Sequence, residues 1–224
     1  MGQTPLQSEV RPKRWTRWCL TILIAPWLAV GGFALYLIAV HNFHVVSPGV
    51  FYRSAQMGGT ALAHAVKEYG IKTVLNLRGP GAGQDWYTSE MTAAQQLGIQ
   101  HFDFSLSATR ELKDEEMDSI LDLIARAPKP ILIHCKSGSD RTGLVGALYL
   151  YGIEGQSAAA AGRQLNALYG HLPHLFWGNT AAMDNSFWRY VRRHSQSGEA
   201  AVKPAKSVEP AGGTTLSMVH EPAQ

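Results

Sequence analysis

Residues 134–143 read HCKSGSDRTG. The thiol of Cys135 stands six positions before the guanidinium of Arg141, with Gly138 between them and the apolar run PILIH just ahead. A glycine-containing turn that follows a buried strand and opens a helix points several free backbone N–H groups at one spot, which suits an anion. Arg141 can grip two oxygens of a phosphate through its planar fork. The same helix end and Arg141 favour a thiolate at Cys135, the nucleophilic form of the side chain. The stretch therefore predicts an anion held over an activated sulfur. In-line attack on phosphorus is the natural reaction, with Arg141 and the amides stabilising the equatorial oxygens. Lys136, Ser137, Gly138, Ser139 and Asp140 are the remaining candidates for contact with substrate, Lys136 adding positive charge for a substrate with more than one phosphate. A lone cysteine is usually a packing residue; this loop and this arginine argue otherwise.

His134-Cys135, Gly138 and Arg141-Thr142-Gly143 resemble the H-C-x-x-G-x-x-R-[S/T]-G signature of the cysteine-dependent protein tyrosine phosphatase superfamily. VSPGVFYRSAQ (46–56) and IKTVLNLR (71–78) resemble its compact bacterial and atypical dual-specificity-like members. The resemblance implies that Cys135 forms a phosphocysteine and that Arg141 binds the phosphoryl group. It implies that Thr142 hydrogen-bonds the sulfur and helps it leave, and that His134 helps hold the loop and the thiolate. No cofactor and no metal are implied.

A phosphomonoester leaving group needs a proton, and the water of the second step needs a base. Asp103, 32 residues before Cys135 on the strand preceding the helix that leads into PILIH, is the expected acid. The chain lacks the Trp-Pro-Asp triplet, so Asp103 is assigned by position. Asp140 inside the loop is a rival, because Asp-Arg-Thr resembles phosphoinositide-directed members. Asp114 is another, but it reads as a helix N-cap. Arg53 and Gln56 read as structural ties, and Arg78 as a brace for the active-site loops. The pairs His41/His44 and His171/His174 have three-residue spacing, a weak metal signal without a carboxylate or cysteine partner.

These residues need a scaffold. Residues 71–77, 100–106 and 130–134 read as strands, and 60–69, 86–97, 114–126, 142–151, 156–169 and 180–193 as helices. The alternation predicts an α/β domain over 46–194, a mainly parallel central sheet flanked by helices. One transmembrane helix is expected before it, over 18–40. Those 23 residues carry no charge and would span about 34 Å as a helix, enough for a hydrocarbon core of about 30 Å. A cleaved signal would have a shorter apolar core ending in small residues of the A-x-A kind, which this stretch lacks. Arg11, Lys13, Arg14 and Arg17 precede the span and only Arg53 lies in the 20 residues after it. The amino end, basic over 1–17, is thus expected in the cytoplasm and the domain on the opposite side, periplasmic in a Gram-negative cell. Residues 195–224, rich in Ala, Pro, Gly and Ser, read as a disordered tail.

The 224-residue chain has a net charge of +3 and two cysteines. Between His41 and His194 it carries 14 basic and 13 acidic side chains, which excludes a polyanion-binding surface and so nucleic acid. The expected function is a membrane-anchored phosphatase acting on phosphotyrosyl or other phosphoproteins, the alternative being a phosphoinositide or another phospholipid. A rhodanese-type sulfurtransferase and an inactive phosphate-binding module are further alternatives. The Cys-x5-Arg-Thr-Gly spacing argues against the first, and the presence of both Cys135 and Arg141 against the second.

Overall fold

The computed structural model describes residues 14–173 and 179–196. The first helix, α1 (Arg14–Ala39), carries no charge after Arg17, and none of its Thr21–Ala39 stretch is buried against the rest of the chain. Five strands follow: β1 (His44–Ser47), β2 (Phe51–Ser54), β3 (Thr73–Asn76), β4 (Gln100–Asp103) and β5 (Ile131–His134). They form one sheet in the order β1-β2-β5-β3-β4. All pairings are parallel except β1 with β2, an antiparallel edge joined by a tight turn at Pro48-Gly49.

Two cores result from the alternation of side chains along the parallel strands. Val74 and Leu132 face α2 (Gly59–Tyr69) and α3 (Asp85–Leu97). Leu75, Ile131 and Ile133 face the larger core built by α4 (Asp114–Arg126), α5 (Asp140–Gly152) and α7 (Ala181–Gln196). Met117, Ile120, Leu121 and Ile124 form the buried stripe of α4, as their spacing predicts. Helix α5 is buried along almost its whole length, so its apolar run carries no amphipathic pattern.

Four expectations need correction. The hairpin β1–β2 was not foreseen as strands; its residues, HVVSPGVFYRS, are split by the turn into two runs of four. Residues 156–169 are not one helix but a short α6 (Ala158–Ala161) and two single 3₁₀ turns, Gly162–Gln164 and Ala167–Tyr169. The carbonyl of Gln164 accepts from the buried Arg53 (2.9 Å) instead of continuing a helical ladder. Asp114 is not the N-cap of α4 but its first residue. The cap is Lys113, whose backbone N–H donates to Glu116 (2.6 Å), while Asp114 pairs with Arg189 and Arg193 on α7 (both 3.2 Å). Finally, α7 runs two residues into the expected tail; the tail from 197, residues 1–13 and His174 lie outside the described residues.

Candidate active site

The loop 135–139 joins the carboxyl end of β5 to the first turn of α5, the edge of a parallel sheet where ligands bind. Gly138 has φ +74°, and a Cβ there would stand 2.6 Å from the backbone N of Ala55 at the end of β2. Only glycine allows the loop to turn so tightly against that strand. Gly143 plays a second steric part: a Cβ would meet the Gln164 carbonyl at 2.8 Å.

Cys135 is 1 % exposed and packs with the α4/α5 core. Two polar atoms close to it in sequence, Arg141 Nε and Thr142 Oγ1, are buried without a hydrogen-bond partner. The Arg141 guanidinium is held from one side, Nη1 donating to the Leu106 carbonyl (3.2 Å) on the segment after β4. The Thr142 hydroxyl is therefore not bonded to sulfur here; like Arg141 Nε, it is a donor with unused capacity, which suits an anion in the cradle.

Arg53 is fully buried on β2 beneath this loop. It donates to the carbonyls of Gly138 (2.7 Å) and Ser139 (3.4 Å) and to Gln164 Oε1 (2.6 Å), and its guanidinium lies 4.0 Å from the Tyr169 ring centroid. Burial lowers its pKa to about 10, still charged at neutral pH, with the fields of Tyr169 and Cys135 opposing the shift. Arg78 follows β3, stacks on Trp86 (3.5 Å to the centroid) and donates to Gln56. Its pKa is lowered by burial and by neighbouring Arg141, and supported by Glu90 and Cys135. Among the described residues, none of these three arginines has a carboxylate at ion-pairing distance. A nearly neutral domain thus concentrates three unpaired cations around one loop, an electrostatic well for an anion.

His134 is buried, with Nε2 3.1 Å from Glu90 and Nδ1 3.2 Å from the Cys135 carbonyl. Glu90 on α3 also meets His101 Nε2 at 2.8 Å. Burial opposes its ionisation, but the two imidazoles overcome this and hold the carboxyl down at about 2. Nothing in the sequence pointed to Glu90: a lone acid in a polar helix reads as a solvated side chain.

The two candidate acids lie in different places. Asp103 is in register with Asn76, and Asn76 with His134, so its backbone stands two strands from β5, about 10 Å. Its carboxylate faces α3, accepting from Asn76 Nδ2 (2.7 Å) and from the Tyr87 hydroxyl, a bond that pushes the phenol up to about 12. Asp140 is turned to His171 Nδ1 (2.7 Å), whose Nε2 meets Asp184 on α7 (2.8 Å). His171 thus joins α5 to α7. His44 Nε2 meets Asn42 Oδ1 (2.9 Å). Of the cradle candidates, Lys136 and Ser137 are exposed on the rim, and Ser139 donates to Ser137 (3.1 Å).

The fold is similar to that of a Cys-to-Ser variant of TpbA from P. aeruginosa in complex with phosphotyrosine, at 22% identity, covering 66% of this chain and 83% of that one, TM-score 0.51. It is also similar to the core catalytic domain of the PP-IP phosphatase SIW14 from S. cerevisiae, at 19% identity, covering 70% of this chain and 93% of that one, TM-score 0.51. The sulfurtransferase alternative falls away with the remaining comparison, which takes in the cradle, both flanking strands and the end of α1. The model of the tyrosine phosphatase family matches residues 30–159, more than half of the chain, and the chain belongs to that family of cysteine-dependent phosphatases.

Proposed function

We propose that the protein is a membrane-anchored phosphatase that hydrolyses phosphomonoesters through a phosphocysteine at Cys135. The observation that carries this reading is the pair of buried donors without partners, Arg141 Nε and Thr142 Oγ1, in the first turn of α5, with the buried thiol of Cys135 in the loop that leads into it. A phosphoryl group placed there meets the amides of 136–141 and the Arg141 fork. The sulfur attacks phosphorus in line, the S–P bond forms and the ester P–O bond breaks. Water then attacks phosphorus, the sulfur leaves assisted by the Thr142 hydroxyl, and inorganic phosphate departs.

For proton transfer, Asp140 is committed to His171 away from the cradle. Asp103 stands at the same edge of the sheet as Cys135, and we assign it the acid–base role once its side chain turns from Tyr87 toward the ester. Such bonds commonly tighten only when substrate is bound. Anchoring rests on the charge-free stretch of α1 from Trp18 onward, and the basic residues before that stretch favour a cytoplasmic amino end with the domain across the membrane.

The test is phosphate release from p-nitrophenyl phosphate by the full chain in detergent, with acid quenching to trap phosphate on Cys135 for mass spectrometry. Cys135→Ser is expected to lower kcat by at least about a thousandfold and to remove the trapped adduct. Turnover that survives the substitution would overturn the thiol mechanism.

A further inference from the structure

The antiparallel edge strand decides where α1 meets the domain. Because β1 runs against β2, and β2 runs with β5, β1 begins at the carboxyl edge of the sheet. Helix α1 therefore delivers the chain to the edge that bears the catalytic loop. The joint is not a tether. His41 and Asn42 both have positive φ (52° and 44°). The His41 carbonyl accepts from Ala55 N–H (2.7 Å). Asn42 is buried, and its Nδ2 donates to the carbonyls of Ser137 in the catalytic loop and Tyr169 (both 2.9 Å).

Between this helix and the loop lies a groove of about 550 Å³. One wall is Ala34, Leu37 and Ile38, from the last turns of α1; the other is Lys136, Ser137 and Ser139 of the catalytic loop. The apolar wall belongs to the stretch Thr21–Ala39 that is long and apolar enough to cross a membrane. From Ala34 to Ile38 this wall covers about 6 Å of helix rise, comparable to the headgroup layer on one side of a bilayer. With α1 in a membrane, the groove runs from the hydrocarbon boundary to Lys136, Ser137 and Ser139 on the rim of the catalytic loop. Its fitting occupant is a molecule with a phosphate at one end and hydrocarbon at the other.

We propose that the substrate is a phosphomonoester carried on a membrane lipid, the groove holding the part of the lipid next to the phosphate. This rests on the phosphocysteine reading and on α1 as a membrane span. The chemistry is that already given: sulfur takes the phosphoryl group, the lipid leaves as its alcohol with a proton on oxygen, and water releases phosphate. The near-neutral domain offers no broad cationic surface to collect anionic lipid, so selection comes from position at the bilayer.

The test uses the full chain reconstituted in phosphatidylcholine vesicles. Phosphate release is compared for phosphatidic acid in the same vesicles, glycerol 3-phosphate, a phosphotyrosyl peptide and p-nitrophenyl phosphate, with Cys135→Ser as control. Phosphatidic acid is expected to exceed glycerol 3-phosphate, the same ester without chains, by about a hundredfold in kcat/KM. Ala34→Trp, which fills the apolar wall, is expected to lower the ratio of phosphatidic acid to p-nitrophenyl phosphate turnover by about tenfold. Equal rates on the two glycerol esters, or preference for the peptide over the lipid, would overturn the proposal while p-nitrophenyl phosphate turnover upholds the phosphatase. Loss of turnover on every ester by reduced, folded protein would instead overturn the phosphocysteine reading and the proposal with it.

Discussion

For Asp103, the proposed acid, the leaving group is the direct test of its role. Both of its oxygens are taken, by Asn76 and Tyr87. If it gives its proton to the leaving oxygen, Asp103→Asn must hurt poor leaving groups most. The expected loss in kcat is about a hundredfold or more on an alkyl phosphate and much smaller on p-nitrophenyl phosphate, whose phenolate departs without help. A loss that is the same on both esters would make Asp103 a positioning residue of the β3–β4 edge. Arg53, three strands away on β2, has a different task. It is a buried cation that satisfies three loop and turn carbonyls, and its planar fork is what reaches Gly138 and Gln164 together. Lysine keeps the charge but not the fork. Arg53→Lys is expected to cost about 3 kcal/mol and lower Tm by about 6–12 °C in a thermal melt. A Tm within a degree of wild type would show that the loop does not depend on this buttress.

At the scale of elements, α5 must hold the first-turn residues Arg141 and Thr142 in place, and it is bolted to α7 through Asp140–His171–Asp184. Burial works against a charged His171, but the two carboxylates win and raise its pKa to about 9. An unfolded histidine titrates near 6.5. The protonated form is therefore favoured by the fold, its contribution is complete below about pH 6.5, and it fades as pH rises through about 9. His171→Gln should melt lower than wild type at pH 6 by an amount worth about 1–3 kcal/mol, and the gap should close by pH 9.5. A gap that stays constant across that range would mean that the imidazole acts by packing and not by charge. Legibility in the sequence follows the same division. The strands 73–76 and 131–134, helix α4 and the cradle itself were readable, because apolar runs, an amphipathic stripe and a loop motif are local signals. Glu90, the His171 bolt and the β1–β2 hairpin were not. Each depends on partners distant in sequence, and four-residue strands carry too little alternation to be recognised. Residues 156–169 misread as one helix for the same reason, since the force that breaks it is Arg53, more than a hundred positions away.

For the molecule as a whole, two features set how the enzyme meets its surroundings, and they come from different sources. That the catalytic edge adjoins the last turn of α1 is a consequence of topology, invisible until the antiparallel edge strand is known. Which side of a membrane that edge would face is a question of charge, and the expectation there rests on the flanks of the span alone. Arg11, Lys13, Arg14 and Arg17 stand before the span, and the 20 residues after it hold only Arg53. Basic flanks resist transfer across a membrane, so the amino end should stay inside and the domain should cross. An alkaline phosphatase reporter, active only after export, fused behind Gln224 and expressed in a Gram-negative host should therefore be active. Replacing the four basic residues by glutamine should lower the exported fraction, and placing four lysines after residue 197 should not restore it, because charges that far from a span carry little weight in orientation. An inactive reporter on the unaltered chain would place the thiol on the cytoplasmic side. There the single cysteine of the domain would sit in a reducing compartment, and the lipid face within its reach would be the inner leaflet.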